Sequence, residues 1–315
     1  DNNKKVITMR VINMNDNKLR NKQGLTEAEF LKTYDAGKYE RPSVTVDMLI
    51  FTVTDEEKKN YRKLSEKVLR LLMIKRGDHP YLGQWALPGG FVNMDESMEE
   101  AARRELMEET NIDNIYMEQL YTWGDVGRDP RTRIISTSYM SLVDSGVLDV
   151  KANDDADDAK WFTVSCKLYQ EQKTVTQGGY ILQRLFKLNL SNDEDNLSAT
   201  IKIEKYVENR VTKVHREIVE AKGIAFDHAK IIEYGIERLR NKIEYTDIAF
   251  NLMPELFTLT ELQKVYEIIL DTELLKANFR RKISDMVVET NEYRKDAGHR
   301  PSKLFKFNPE WQNMQ

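Results

Sequence analysis

The chain has 315 residues, of which 40% are hydrophobic and 32% are charged, a composition typical of a globular protein with sizeable cores. Its formal net charge of −4 excludes a uniformly basic surface but allows a local basic patch. Cys166 is the only cysteine, which excludes internal disulfides and zinc sites built on cysteines. The first residues lack a signal-peptide layout and no apolar run is long enough to span a bilayer, so we expect a cytoplasmic protein without a membrane partner.

The first half of the chain predicts a leader followed by a domain that mixes strands and helices. We assign residues 1–42 to the leader, with a short helix around Glu27–Tyr34. From Ser43 onward, one strongly marked helix, Ser97–Glu109, is surrounded by the β-rich runs SVTVDMLIFTV, KVLRLLMIKRG and TRIISTSYMSLV. Such alternation is typical of an α+β domain with a mixed sheet.

The middle of the chain predicts a hairpin and then a connecting helix. The runs YILQRLFKLNL and ATIKIEKYV flank the polar turn SNDEDN, so we expect a long hairpin over Gly179–Glu208. The segment IAFDHAKIIEYGIERLRNKI follows as the connecting helix. We expect the domain boundary between Val214 and Lys242, and we assign residues 43–222 to the first domain and 223–315 to the second.

The marked helix of the first domain has a clear start and one apolar face. Ser97 and Glu100 have the spacing of a capping box, in which each side chain binds the other residue's backbone N–H. Met98, Ala102 and Leu106 recur every four residues and predict a stripe that packs on the sheet.

Three carboxylates border that stripe. Glu105, Glu108 and Glu109 are spaced so that they share one side of the helix, where like charges one turn apart cost about 0.2–0.5 kcal/mol per pair. A solvated acidic face is the simplest interpretation, but these side chains abut the buried stripe instead of facing away from it. A hard cation such as Mg²⁺ between the oxygens would relieve the repulsion.

The spacing around these carboxylates resembles the Nudix box, Gx5ExxxxxxxREUxEExGU. Gly90 is followed after five residues by Glu96 and after seven more by Arg104-Glu105-Leu106-Met107-Glu108-Glu109-Thr110-Asn111-Ile112. In that family the box is a loop–helix–loop that binds Mg²⁺ (or Mn²⁺) and cleaves nucleoside diphosphates linked to another moiety. The one departure is Asn111, where the family has glycine; we expect a left-handed residue there, and Asn is the next-best occupant after Gly.

The resemblance implies roles for the residues of the box. Glu105, Glu108 and Glu109 match the family's metal ligands and activating carboxylates, Glu96 its upstream glutamate, and Arg104 the arginine that orients them. We expect Gly89 and Gly90 to lie at the bound ligand. Bridging metal ions would neutralise charge on two phosphates and lower the pKa of a bound water. Which glutamate acts as general base stays open, since several Nudix branches take the base from another loop.

The loop GDVGRDPRTRIIS carries Arg128, Asp129 and Arg131 just before a strand. An arginine's planar fork suits bidentate binding of phosphate, whereas ordinary Arg–Asp surface pairs contribute little. Beside a Nudix box, GRDPR resembles the loop of ADP-ribose-directed members, as GQWALPGGF resembles their strand into the box. The resemblance favours Arg128 and Arg131 as ligand-binding residues.

The second domain begins with two short helices. TLTELQKVYEIIL has a capping-box pattern at Thr258 and a buried stripe of Leu262, Val265, Tyr266 and Ile269. In DTELLKANFRRKISDM we expect four side chains to face inward: Leu275, Phe279, Ile283 and Met286. That leaves a second set outward or flanking: Lys276, Ala277, Arg280, Arg281 and Ser284.

This pattern predicts a helix-turn-helix followed by a basic wing. The segment NEYRKDAGHRPSKLFKF adds Arg294, Lys295, His299, Arg300, Lys303 and Lys306, which suit a hairpin lying along phosphates. We expect DNA contacts from Lys276, Arg280, Arg281, Arg294, Lys295, His299, Arg300 and Lys303. A small helical interaction domain with a solvated basic face is the alternative.

The whole arrangement resembles the NrtR-like family of Nudix-related transcriptional regulators. The stretches YERPSVTVDMLIFTV, YTWGDVGRDPR, IAFDHAKII, IEYTDIAFNLMPELFTLTELQKVYEIIL, NFRRKISDM and GHRPSKLFKF are similar to that family. The resemblance implies an α+β fold, a Nudix mixed-sheet α/β/α sandwich followed by a winged helix-turn-helix domain. The hairpin around Tyr180–Val207 is an elaboration, either a dimer contact or an extended sheet edge.

Two functions remain open at this level. The resemblance implies a homodimeric regulator of NAD or sugar metabolism that binds a double-stranded DNA operator and is released by ADP-ribose or a related nucleotide. The alternative is a working ADP-ribose pyrophosphatase whose C-terminal domain serves dimerisation or partner binding. Because every carboxylate of the box is present, hydrolysis by the regulator itself also stays open.

Overall fold

A computed structural model of the chain describes residues 19–56, 66–112, 115–146, 159–294 and 301–312. The chain divides into two compact units, Asp1–Pro42 and Ser43–Gln315. In the first, helix α1 (Glu27–Thr33) starts at a capping box of Thr26 and Glu29, and a 3₁₀ turn follows; the predicted short helix is confirmed. Among the helices described, none has the length and apolar character needed to cross a membrane.

The second unit is built on one mixed sheet. Its strands, in sheet order, are β10 (Val211–Lys222), β9 (Asn196–Glu208), β8 (Gly179–Ser191), β7 (Ala159–Thr176), β2 (Glu66–Lys75), β1 (Ser43–Glu56), β6 (Ile134–Asp144) and β5 (Tyr116–Trp123). Two short strands lie off this path, β3 (Trp85–Ala86) on β2 and β4 (Gly89–Phe91) on β1. The β1–β6 pair is parallel, while β1 and β2 are antiparallel, so the predicted mixed sheet is confirmed.

Helices cover both faces of this sheet near β1. Because successive side chains of a strand point to opposite faces, Val46, Met48 and Ile50 pack with helix α2 (Met98–Thr110) in one apolar cluster. Leu49, Phe51 and Val53 lie in the other cluster, together with helix α3 (His228–Ile243). These layers form the α/β/α sandwich that the resemblance implied.

The strands β8 and β9 confirm the predicted hairpin, but its two flanking strands were not predicted. Strands β7 and β10 extend the hairpin into four antiparallel strands. The distal half of β7 and most of β10 are exposed on both faces. Such strands have no apolar alternation, which is the signal on which a strand prediction depends.

Helix α3 begins four residues later than the predicted connecting segment. The residues before it, Ile224–Asp227, form a turn in which Phe226 has a positive φ of 53°. Further along α3, a Cβ atom at Gly235 would overlap the Leu49 side chain. The absence of a side chain therefore lets the helix lie close to the sheet.

The C-terminal part has the predicted helix-turn-helix and hairpin. A 3₁₀ turn (Ile248–Leu252) precedes α4 (Leu259–Leu270), α5 (Lys276–Ile283) and the paired strands β11 (Val287–Arg294) and β12 (Ser302–Phe307). Thr258 and Glu261 form the predicted capping box of α4. The same apolar cluster runs from the sheet through α3 to these helices.

The predicted faces of both helices are confirmed except at one residue. The stripe of α4 is buried, as are Phe279, Ile283 and Met286, and the predicted outward residues of α5 are exposed. The inward assignment of Leu275 is wrong, because this side chain is 74% exposed. Leu275 is the N-cap of α5 with extended backbone angles, so it does not follow the helical period.

A buried carboxyl on α3 predicts a pH-dependent stability. Glu233 is 2% exposed, and burial raises its pKa to about 7 against the opposing charge of Arg216. Between the ordinary value of 4.5 and about 7, the folded chain holds a proton that the unfolded chain releases. The free energy of unfolding should therefore fall as pH rises through this window, by about 3 kcal/mol.

Urea denaturation between pH 5 and pH 8 measures this slope, and Glu233→Gln should make it shallower, with the rest of the slope coming from Glu109, whose pKa is also raised to about 7. Glu220→Gln is the matched control, because Glu220 is an exposed glutamate of β10, the strand that carries Arg216. An equal slope in wild type and Glu233→Gln would contradict the assignment.

Candidate functional site

The carboxylates of the box are organised by Arg104. Its Nε and Nη2 atoms donate to Glu96 at 3.1 and 2.8 Å, and its Nη1 atom donates to Glu105 at 2.6 Å. The same guanidinium lies 3.5 Å from Glu108. Hydrogen bonds from Arg104 and from the Asn93 backbone lower the pKa of Glu96 to about 2. Arg104 thus brings the loop before α2 and two helix carboxylates together.

Gly90 leaves room for one of these carboxylates. Glu105 is 7% exposed, and a Cβ atom at position 90 would overlap its Oε1 atom. Burial raises the pKa of Glu105, opposed by the hydrogen bond from Arg104. The glycine at the start of the box is therefore needed for the close approach of strand β4 to α2.

Glu109 is a half-buried carboxylate whose charge is poorly compensated. Burial, with the charges of Glu105 and Glu108, raises its pKa to about 7. No ion pair among the described residues involves Glu109. The carboxylates of Glu105, Glu108 and Glu109 supply oxygen donors with excess negative charge, which fit the chemistry of a hard divalent cation. In the described part of the chain, however, no three His, Cys, Asp or Glu side chains already converge as a metal site.

The end of α2 has the predicted left-handed residue. Asn111 has φ 53° and ψ 27°, and its N–H donates to Met107 O at 2.8 Å. The replacement of the family's glycine by asparagine therefore preserves the helix end.

A small cavity adjoins the box. Its volume is about 160 Å³, and its walls include Asp47, Arg76, Gly89, Gly90, Phe91, Arg128, Arg131, Phe226 and His228. Cavities that enclose whole drug-sized ligands hold about 300–1,000 Å³. This cavity would therefore hold only part of a nucleotide ligand.

The two arginines of the GRDPR loop have different surroundings. Arg128 is 6% exposed and binds Asp227 in a bidentate pair, with Nε–O and Nη2–O distances of 3.0 and 2.7 Å. Its Nη2 atom also lies 3.4 Å from Asp47. Arg131 is 42% exposed and pairs with the buried Asp129. Arg131 thus lines the cavity with its Nη1 atom outside the pair to Asp129, whereas Arg128 is held by two carboxylates in the cavity wall.

Sequence patterns did not identify the partners of Arg128, Asp47 and Asp227, or their neighbour His228. Asp47 accepts a hydrogen bond from Ser136 at 2.6 Å, and His228 accepts one from the Leu87 N–H at 2.8 Å. Burial lowers the pKa of His228. One signal was available, since Asp47 interrupts an apolar strand in SVTVDMLIFTV and Asp227-His228 opens an apolar helix.

The basic residues of α5 face solvent. A groove of about 570 Å³ lies between α5 and the β11–β12 hairpin, and its walls include Lys276, Arg280, Ser302 and Lys303. Arg294 and Lys303 are engaged in ion pairs, with Glu261 and Glu289 respectively. Lys295, His299 and Arg300 lie outside the described residues.

Two family models match this chain. One, described as a NUDIX domain, matches residues 44–183, and the other, described as an NrtR DNA-binding winged helix domain, matches residues 249–307. The first contains the box and the GRDPR loop, and the second contains α4, α5 and the hairpin.

Two similar proteins match different shares of the chain. The chain is 33% identical over 287 residues to an ADPR responsive transcriptional repressor, NtrR, of Acinetobacter baylyi, covering 90% of this chain and 88% of the relative. It is 36% identical over 140 residues to an ADP-ribose pyrophosphatase of Methanocaldococcus jannaschii, covering 44% of this chain and 73% of that enzyme.

Solved structures agree over most of the chain. NrtR of Shewanella oneidensis in complex with a 27mer DNA matches at 27% identity and a TM-score of 0.57, covering 84% of this chain and 94% of NrtR. A MutT/nudix family protein from Enterococcus faecalis matches at 27% identity and a TM-score of 0.62, covering 90% and 94%. The box, the winged helix and the extent of these matches show that the chain belongs to the NrtR-like family of Nudix-related transcriptional regulators.

Proposed function

We propose that this chain is a transcriptional repressor that binds ADP-ribose or a related nucleoside diphosphate in its Nudix domain and then releases DNA. The observation that carries the proposal is that one helix connects the two parts. Helix α3 starts at the cavity beside the box and shares a core with both helices of the winged helix. The similarity to an ADPR responsive repressor supports it. We divide the chain at residues 222 and 223, after β10.

The ligand site combines the box with the loop before β6. Gly89 and Gly90 line the cavity, and Arg131 offers a guanidinium to a diphosphate bound there. Glu105, Glu108 and Glu109 would hold Mg²⁺ or Mn²⁺, with Arg104 and Glu96 fixing their orientation. When bound, such a cation neutralises the charge of the two phosphates.

The DNA site is the exposed basic face of α5 and the hairpin. Lys276, Arg280 and Arg281 are exposed on α5, the second helix of the helix-turn-helix, which in such domains enters the major groove. Lys303, with Arg294, Lys295, His299 and Arg300, would lie along phosphates. A homodimer would bind two half-sites, and the ligand must bind the free and DNA-bound forms with different affinity.

A second function is hydrolysis of the ligand. The specific observation in its favour is the box itself, in which Arg104 binds two carboxylates and the half-buried Glu109 has no ion pair with any residue that the structure describes. The similarity to an ADP-ribose pyrophosphatase also supports it. The residues leave open which glutamate accepts the proton of the attacking water.

The first test measures DNA release by the ligand. A duplex selected by the protein from a random-sequence library should bind the purified chain, and ADP-ribose should weaken that binding because it favours the free form. Fluorescence anisotropy of the labelled duplex measures both steps, with AMP as a matched control that lacks the diphosphate. DNA binding that ADP-ribose leaves unchanged would contradict the repressor function.

A second test concerns the basic helix. Replacing Arg280 and Arg281 together by Ala should weaken DNA binding and reduce the dependence of log affinity on log salt by about two units if each arginine contacts one phosphate. The control replaces Lys213 and Lys222, two exposed lysines of β10 far along the chain from the winged helix. If both double variants bind alike, α5 is not the DNA-binding element.

A third test addresses catalysis. With Mg²⁺, the wild-type chain should release AMP from ADP-ribose, and Glu109→Gln should reduce the rate at least about 100-fold because it removes one charged oxygen donor or the base. Liquid chromatography of the nucleotides follows the product, and Glu99→Gln, an exposed glutamate in the first turn of the same helix, serves as the control. Absence of turnover in the wild type across nucleoside diphosphate derivatives would remove this second function and leave the repressor function standing.

A further inference from the structure

Phe226 occupies an unusual position at the wall of the cavity. Its φ of 53° lies in the left-handed region, where a bulky residue is rare and its conformation costs energy. Its neighbours Ala225 and Asp227 are buried, while Phe226 itself is only partly buried and lines the cavity beside Gly89 and Gly90. It lies outside the ranges that the two family models match.

Cations and aromatic rings surround the Phe226 ring. The guanidinium carbons of Arg76 and Arg131 lie 4.9 and 5.8 Å from its centroid, and the ring centroids of Tyr81 and His228 lie 4.7 and 5.3 Å away. Guanidinium groups bind phosphate, and an aromatic face stacks on a nucleobase or packs against a ribose. The group therefore has the chemistry of a site for an anionic nucleoside.

The residue after Phe226 ties this site to helix α3. Asp227 is the N-cap of α3, yet its side chain caps no N–H of the helix, although Asp at this position commonly does so. Both its oxygens bind Arg128 instead. The start of α3 is thus fixed to the cavity wall and not to its own backbone.

The other end of α3 contacts both helices of the winged helix. The Nε atom of Arg240 donates to Ile269 O in α4 at 2.9 Å. Lys282 in α5 lies 3.0 Å from Glu244, the residue that ends α3. One helix therefore joins the lining of the cavity to the DNA-binding elements by direct contacts.

We propose that Phe226 contacts the bound nucleoside diphosphate and that this contact transmits occupancy of the cavity to α3. The inference rests on the proposed repressor function and deepens it, because it names a ligand residue outside the Nudix match and the helix through which the ligand acts. A ligand that shifts Phe226 also shifts Asp227, the next residue, and with it the start of α3.

The test compares Phe226→Leu, which keeps an apolar side chain but removes the ring, with Phe226→Tyr, which keeps the ring. Calorimetry on the full chain, without divalent cation so that no turnover occurs, gives ADP-ribose affinity. Anisotropy gives the factor by which saturating ADP-ribose weakens DNA binding. Phe226→Leu should lower the affinity about tenfold and reduce the release factor severalfold, whereas Phe226→Tyr should keep both near wild type.

The controls separate the possible outcomes. Tyr245→Leu removes a 61% exposed aromatic just after α3 and should change neither quantity. DNA binding and thermal unfolding without ligand establish that each variant is folded, with Phe226→Met as a second ring-free variant if Phe226→Leu is not.

A ring-free variant with wild-type ADP-ribose affinity overturns the ligand contact, and one with weaker affinity but an unchanged release factor overturns the link to α3. A wild-type chain that binds ADP-ribose without releasing DNA refutes the repressor function and the link to α3 together, while the affinities still test the ligand contact.

Discussion

A guanidinium buried among carboxylates constrains the assembly of this molecule. The Arg128 side chain is 6% exposed and lies between Asp227 and Asp47, each about 10% exposed. Breaking a buried pair by removing one partner typically costs about 3–5 kcal/mol, because the remaining charge is left uncompensated. The central strand, the loop before β6 and the start of α3 must therefore fold against one another together, and the cavity beside the box forms as a consequence.

Arg104 is also bound by carboxylates, but its effect on the structure is different. Its side chain is 31% exposed, so its ion pairs with Glu96 and Glu105 contribute less to stability than a buried pair does. Their effect is mainly on geometry, because one planar group fixes the loop before α2 and the helix carboxylates relative to each other. Arg104 orients a site that still carries excess negative charge at Glu109, whereas Arg128 joins parts of the fold.

Sequence patterns that span a few residues predicted much of this structure. Contacts between residues far apart in the sequence were not predicted. The starts of α2 and α4 followed from capping boxes, since Ser97 and Thr258 bind backbone groups only three residues away. Leu275 was wrongly assigned because a helical period does not apply to an N-cap.

Sequence patterns pointed to four residues of the cavity wall, Gly89, Gly90, Arg128 and Arg131, but not to the carboxylates that hold Arg128. Arg128 lies 81 residues from Asp47 and 99 residues from Asp227, and no local period relates such positions. Phe226 was likewise hidden, because a single aromatic before a helix is usually read as core. The box could be found from spacing alone, whereas the residues that connect it to α3 required the fold.

Helix α3 is held by contacts along its whole length, and these contacts determine how it can respond to a shift at its start. Arg128 holds its start through Asp227, Arg216 of β10 pairs with Glu233 and Glu237 at its middle, and Arg240 binds α4 near its end. The absence of a side chain at Gly235 lets the helix lie close to Leu49 of the sheet. Packed interiors transmit a displacement and do not absorb it. A shift at the start of α3 is therefore more favourable as a movement of the whole helix, together with the winged helix bound to its far end, than as a local distortion.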